Sequence, residues 1–267
     1  MIFDPVNSVS NVDFYKKVSA QPVGKSFLYI AYLAALFALV CTLALKIKVG
    51  PVIDETFTWL ERSVPVLTYA GGRVSTPQTA PVRLQHPTIQ GVSLMIDTNR
   101  SDAVTTQQMD EAKVLGFLTA TAFYLREQNG ELRVFDLTKS ADGSKPVTID
   151  AGFYRNASVV MGRLLYPAAL AATFAIFLAW KFFASMAYSV MALMINALAS
   201  GTLSYAPLLN IAIYAQTLAI MLQALSLFLP FTIPGFSLLS VALTGVYIWL
   251  AVKRHSHSSS SPSPLPA

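Results

Sequence analysis

The sequence predicts an α-helical membrane protein of about four to five transmembrane helices, with a small α+β domain inserted between the first and second spans. Three observations point there. Of 267 residues, 54% are hydrophobic and 12% charged, whereas a soluble domain carries about 25% charge. The deficit is uneven: of 14 acidic residues, 12 lie between Asp54 and Asp150, while Arg163 and Lys181 are the only charges from Gly162 to Val252. Finally, "SFLYIAYLAALFALVCTLAL", residues 26–45, is uncharged throughout. At about 1.5 Å per residue it crosses one hydrocarbon core of about 30 Å.

Residues 1–25 read as a cytoplasmic amphipathic head. "DFYKKVSAQPVGK" mixes Phe14, Tyr15 and Val18 with three lysines. It can lie on an anionic inner leaflet, although orientation by positive charge explains the lysines equally well. Residues 26–48 form the first span, too long for a signal-peptide core of about 7–15 residues. The single cysteine, Cys41, excludes a disulfide framework and a cysteine metal cluster; inside this apolar run it reads as an inert buried thiol.

Residues 49–160 form the inserted domain. A helix is expected over 52–65, with Ile53, Phe57 and Leu60 at helical spacing and Pro65 as its stop. "VLTYAGGRVST" reads as a hairpin cornered at Gly71-Gly72. "PVRLQHP" alternates, and "TIQGVSLMID" ends in a strand-like run. A short helix over 105–115 would have Thr105 at its cap and acids in its first turns. Residues 116–127 read as one alternating strand, with Phe117, Thr119, Thr121 and Phe123 on one face. Asn129-Gly130 signals a hairpin to 132–137. "ADGSKP" is a loop, and "TIDAGFYRNASVVMGRLL" leads as one helix into the second span. The domain is expected to be mainly antiparallel and extracytoplasmic.

Residues 161–252 form the C-terminal membrane region. The runs 164–180 and 182–200 flank Lys181 with no Gly or Pro between them. Either the helix continues, bent, or the chain turns at Trp180–Lys181 and crosses again. "GTLSYAP" is a break. Residues 208–229 form a span, "PFTIPG" a tight connection, and 236–252 the last span, with Tyr247 and Trp249 in the aromatic belt. Basic residues at both ends put both in the cytoplasm and favour an even number, four; Lys46, Lys48, Arg155 and Arg163 on the other side pull against this. The Ser/Pro-rich tail, 253–267, has nothing to bury and is expected to be disordered.

A resemblance rests on short matches in order. "FYKKVSAQPVGKSFLYI" (14–30), "PVLTYAGGRVSTP" (65–77), "LMIDT" (94–98), "AFYLREQNGELRVFDLTK" (122–139) and "LSYAPLLNIAIYAQT" (203–217) together resemble the bacterial integral membrane family of domain of unknown function 1189. The resemblance implies an integral protein of the bacterial inner membrane with an inserted domain. It brings no reaction and no catalytic residues; some members are labelled for maltodextrin utilisation.

Candidate sites are few. Asp97, Asn99 and Ser101 stand at alternate positions, as a calcium loop begins, but Asp102 and Gln108 occupy the places where such a loop needs Gly and Glu. Asp97 and Asn99 then read as side chains that satisfy backbone N–H groups at a turn. His86 is the domain's only histidine, and no nucleophile elbow, phosphate loop or zinc helix is present. No metal, no cofactor, no enzyme activity and no nucleic-acid partner are expected. The possible intramembrane polar positions are Lys181, Asn196, Asn210, Gln216 and Gln223, with Lys181 snorkelling from the end of a span. Small residues over 168–187 favour close helix packing, within the chain, with a membrane protein partner or in a homo-oligomer. The expected function is non-catalytic: the extracytoplasmic domain binds a ligand or protein partner. The alternative is a small-solute transporter or channel component.

Overall fold

The computed structural model describes residues 2–89, 91–127, 129–140 and 145–258. The chain divides into two compact units, one of Met1–Ile47 with Leu165–Ala267 and one of Lys48–Leu164. Among the described residues, four helical stretches are long and apolar enough to cross a membrane: Val23–Ser63, Ala151–Leu198, Tyr205–Ser226 and Phe236–His255.

The first unit is built from α1 (Asp4–Ser10), α2 (Phe14–Ser19), α3 (Val23–Lys48), most of a helix Ala151–Leu198, and three further helices Tyr205–Ala215, Thr217–Ser226 and Phe236–Ser258. Rings stack between its helices, Tyr29 on Tyr214 at 3.8 Å and Phe37 on Phe177 at 3.9 Å between centroids. One face of the head is part of this packing, while Lys16 and Lys17 stay exposed. Tyr15 and Val18 are fully buried. The Tyr15 hydroxyl donates to the Ser8 carbonyl, and the Tyr247 hydroxyl to that of Val9. Pro5 lines an apolar cavity of about 340 Å³ with Leu33, Phe37, Ile220 and Ala224. The last helix also runs beyond Val252 to Ser258, so the tail expected to be disordered begins as helix; residues 259–267 lie outside the described ones.

The second unit begins with α4 (Gly50–Ser63), which ends where Val64, preceding Pro65, takes an extended conformation. Among the described residues, eight strands follow: β1 (Leu67–Ala70), β2 (Arg73–Ser75), β3 (Val82–Gln85), β4 (Ser93–Asp97), then α5 (Thr106–Ala112), then β5 (Gly116–Thr119), β6 (Ala122–Arg126), β7 (Leu132–Asp136) and β8 (Val147–Ile149). They form one sheet in the order β2-β1-β8 and another in the order β3-β4-β5-β6-β7. All pairs are antiparallel except β4 with β5, which is parallel. Parallel neighbours need a crossover, and residues 98–115, with α5, supply it.

Three local expectations change. Residues 116–127 are a hairpin, not one strand: Leu118 pairs with Phe123 across a turn at Ala120–Thr121. No Gly or Asn marks that turn. Thr119 makes it, its hydroxyl donating to the Ala122 carbonyl at 3.0 Å and accepting the Ala122 N–H at 3.1 Å. α5 stops at Ala112 because Lys113 turns to a φ of 51°, which puts Asp110 and Glu111 in its last turn. Its start is the expected one, with Thr105 at the cap, and Gln108 completes a capping box with it. The helix after β8 starts at Ala151, with the Asp150 carboxylate accepting the Phe153 N–H; Thr148 and Ile149 belong to the strand. The loop expected at 141–146 falls mostly outside the described residues.

We name the long helix Ala151–Leu198 α6, followed by α7 (Tyr205–Ala215), α8 (Thr217–Ser226) and α9 (Phe236–Ser258). α6 passes through Trp180–Lys181 without a turn, so the five-span reading loses its corner. The physical reason lies in the sequence: no Gly or Pro occurs from Ala168 to Leu198. The single span expected over 208–229 is one helical stretch, Tyr205–Ser226, with a one-residue irregularity at Gln216 between α7 and α8. There side chains compete for backbone carbonyls: Gln216 Nε2 donates to Ala212 O at 3.2 Å and Thr217 Oγ1 to Tyr214 O at 2.6 Å.

Thr119→Val keeps the shape of the side chain and removes both turn-closing bonds at a fully buried site. It is expected to cost about 1–3 kcal/mol, read as a lower midpoint of denaturant unfolding of the detergent-solubilised chain.

Candidate functional site

A polar seam runs through the helical unit. α6 buries Phe177, Lys181, Ser185, Ser189, Ala192 and Asn196, a stripe at three- and four-residue spacing and hence one helix face. Gln216 lies against it: its Nε2 donates to Ser185 Oγ at 2.8 Å, and Ser185 Oγ donates to the Lys181 carbonyl at 2.7 Å. At another level Ser26 Oγ donates to Asn210 Oδ1 at 2.7 Å, Asn210 Nδ2 donates to the Gln21 carbonyl at 2.7 Å, and Gln21 Nε2 donates to Ser26 Oγ at 2.9 Å. Tyr29 and Thr217 share a hydroxyl–hydroxyl bond of 2.8 Å between the two levels. Asn196 latches the end of α6, donating to the carbonyls of Gly201 and Leu203. A Cβ on Gly201 would overlap Asn196 Oδ1, so the latch needs glycine there.

Four of the five intramembrane polar positions named from sequence therefore belong to the buried set. Gln223 does not: it is half-buried, and the hydrogen bond recorded at it is the one its backbone carbonyl accepts from Ser226. Lys181 is buried at mid-helix, 5% exposed, its ammonium 5.2 Å from the Phe177 ring centroid; it is not at a helix end and does not snorkel. Sequence reasoning missed the partners Ser26, Tyr29, Ser185 and Thr217, because hydropathy windows treat single hydroxyls as neutral. The spacing of Lys181, Ser185 and Ser189 was the available signal. Gln216 Oε1 and Asn196 Oδ1 are buried with no hydrogen-bond partner among the described residues.

The sheet-containing unit holds a different kind of site. Glu55, Thr58, Trp59 and Arg62 share one face of α4 at helical spacing. With Ser63 and Pro87 they line a cleft of about 360 Å³. Its wall is fixed by His86. That ring is 4% exposed and lies 4.9 Å from the Trp59 ring between centroids. Its Nδ1 accepts the N–H groups of Thr88 at 3.2 Å and Ile89 at 3.0 Å. The Thr88 hydroxyl in turn donates to the Glu55 carboxylate. His86 is thus a loop-organising side chain. The cleft offers an indole, a guanidinium, two hydroxyls and a carboxylate.

The stretch that resembled a calcium loop is a turn. Asp97 Oδ1 accepts the Asn99 N–H at 3.2 Å, and Asn99 Nδ2 donates to the Thr79 carbonyl at 2.7 Å. A triad of His86, Asp97 and Ser101 is not assembled. His86 follows the Gln85–Ser93 pair at one end of the β3–β4 ladder, whereas Asp97 follows the Val82–Ile96 pair at the other. Five residue steps along the strand separate those levels, about 16 Å.

Asn210→Leu removes the centre of the Gln21–Ser26–Asn210 knot and is expected to cost about 1–2 kcal/mol. Gln223→Leu is expected to stay within about 0.5 kcal/mol of the parent. Paired thermal unfolding curves in one detergent separate the two.

The family described as a protein of unknown function, DUF1189, has a model that matches residues 6–252. No curated protein and no solved structure matches the chain.

Proposed function

This chain belongs to the DUF1189 family, and we propose that it is a non-catalytic multi-pass protein of the bacterial inner membrane whose sheet-containing unit binds a ligand or protein partner. Its place would be accessory or sensory, in the cell envelope. Membrane residence is supported by the apolar side chains the helices leave uncovered, among them Leu28, Ile176, Trp180, Phe183 and Leu238. Soluble monomers rarely expose contiguous apolar surface on that scale. The extracytoplasmic position of the sheet unit rests on the lysines of the head and on Lys253 and Arg254, which would hold both chain ends inside.

The observation that carries binding is the α4 cleft. Trp59 gives a flat apolar wall for a ring or a side chain. Arg62 gives a planar set of donors matched to a carboxylate or phosphate, and no acidic residue pairs with it among the described ion pairs. Glu55 and the two hydroxyls add orientation. Among the described residues no group of three or more His, Cys, Asp or Glu gathers there, and the indole, guanidinium and hydroxyls of the cleft support recognition.

The test is photocrosslinking in cells from a reactive side chain placed at Arg62, compared with one at exposed Asp102. The expected result is a discrete adduct from position 62, absent from 102 and lost when Trp59→Ala is added. Identical adducts from both positions, or none from 62, would overturn the assignment.

Transport is the second reading, favoured by one feature: the buried Gln216 amide, whose oxygen has no hydrogen-bond partner among the described residues, against the α6 turn that carries Lys181 and Ser185. Polar side chains buried at mid-membrane mark solute pathways by default. Vesicles containing the chain and showing uptake that Gln216→Leu abolishes would establish it; vesicles without uptake of sugars or ions would remove it.

A further inference from the structure

The ends of α2 and α9 are clasped together by charge. Arg254 donates through Nε to Asp13 Oδ1 at 2.9 Å and through a terminal nitrogen to Oδ2 at 3.2 Å. Lys16 stands 3.8 Å from the same carboxylate. The hydrogen bond from Arg254 holds the Asp13 carboxyl below the usual carboxylate range. Ser19 and His255 add a link of 2.9 Å. Asp13 is therefore already neutralised by its own neighbours.

Beside this clasp is a hollow of about 320 Å³, lined by Val12, Asp13, Leu250, Lys253 and Arg254. Its lining is divided. Val12 and Leu250 are apolar, and Lys253 and Arg254 are cationic. Across α2 and the end of α9, Lys16, Lys17, Lys253 and Arg254 set four cations against one acid, Asp13, a local surplus of three. Trp249, 47% exposed, lies under the Lys253 ammonium, 4.9 Å from the ring centroid. A tryptophan beneath a lysine at a helix end is what a headgroup layer selects.

We propose that this hollow is a binding site for an anionic phospholipid, its phosphate held by Lys253 and Arg254 and its glycerol and first methylenes resting on Val12 and Leu250. The proposal rests on the reading that α9 crosses a membrane. Anionic rather than zwitterionic lipid follows from the charge surplus: a choline headgroup would bring its own cation against Lys253, whereas phosphatidylglycerol brings none. The guanidinium edge not engaged by Asp13 can take a phosphate oxygen, and the Asp13 pair keeps that edge in place.

The experiment uses the full chain in nanodiscs of phosphatidylcholine with and without phosphatidylglycerol, read by native mass spectrometry and by thermal melting. The wild-type chain is expected to retain phosphatidylglycerol in preference to phosphatidylcholine and to melt at a higher temperature in its presence. Lys253→Gln is expected to reduce retention about fivefold, the equivalent of ~1 kcal/mol for one cation at an anionic surface. Lys25→Gln, the same charge change on α3, leaves retention at the wild-type level. Equal retention of the two lipids, or equal losses from Lys25→Gln and Lys253→Gln, would overturn the site. Soluble glycerol phosphate raising the melting temperature in pure phosphatidylcholine as far as phosphatidylglycerol does would overturn its assignment to lipid. A chain that stays dissolved without detergent would overturn the membrane reading as well, an outcome distinct from the others.

Discussion

In a helical unit this apolar, hydrophobicity cannot say which face of a helix turns inward; the buried polar side chains decide it. Ser26 and Asn210, 2.7 Å apart, fix α3 against α7 in rotation and in height together. Gln216 does the same for the α7–α8 junction against α6 through Ser185. Moving either contact by one residue would leave amide groups without partners in an apolar surrounding, at a cost of about 1–3 kcal/mol each. Leucine and alanine surfaces tolerate such a slip far better. A few specific hydrogen bonds therefore set the register that the stacked rings Tyr29–Tyr214 and Phe37–Phe177 then fill.

The same competition for hydrogen bonds that sets register also shapes the helices. At Gln216 and Thr217 side chains take backbone carbonyls, and the winding is irregular for one residue although every residue from Ile211 to Leu222 is helix-compatible. In α6 no side chain does so with enough effect to stop the helix, and it runs across a buried lysine without interruption. The charge of Lys181 looked like a boundary in sequence. In the fold it faces inward beside Phe177 and marks nothing about the helix's end.

The sheet unit was legible where a turn has its own chemistry. Gly71, Gly72 and Gly130 sit at positive φ, as tight hairpin corners favour. Thr105 at its cap likewise announces α5. The Thr119 corner was not legible, because alternation of Phe117, Thr119, Thr121 and Phe123 fits one long strand as well as two short ones. Only the pairing of Leu118 with Phe123 separates them. The α4 cleft was half legible. The spacing of Glu55, Thr58, Trp59 and Arg62 puts them on one face, but Pro87 and the His86-anchored loop come from a different part of the chain.

The sequence by itself determined the separation into apolar and polar segments, the long apolar helices, and the absence of familiar catalytic patterns. These follow from composition and short-range spacing, which involve residues a few positions apart. Tertiary structure decided the inward faces of the helices, the burial of the N-terminal head, the clasp between Asp13 and Arg254, and the cleft beside Trp59. Each joins residues distant in the chain, and their meeting depends on which polar group finds a partner once both are removed from water, a property of the packed pair and of neither residue alone.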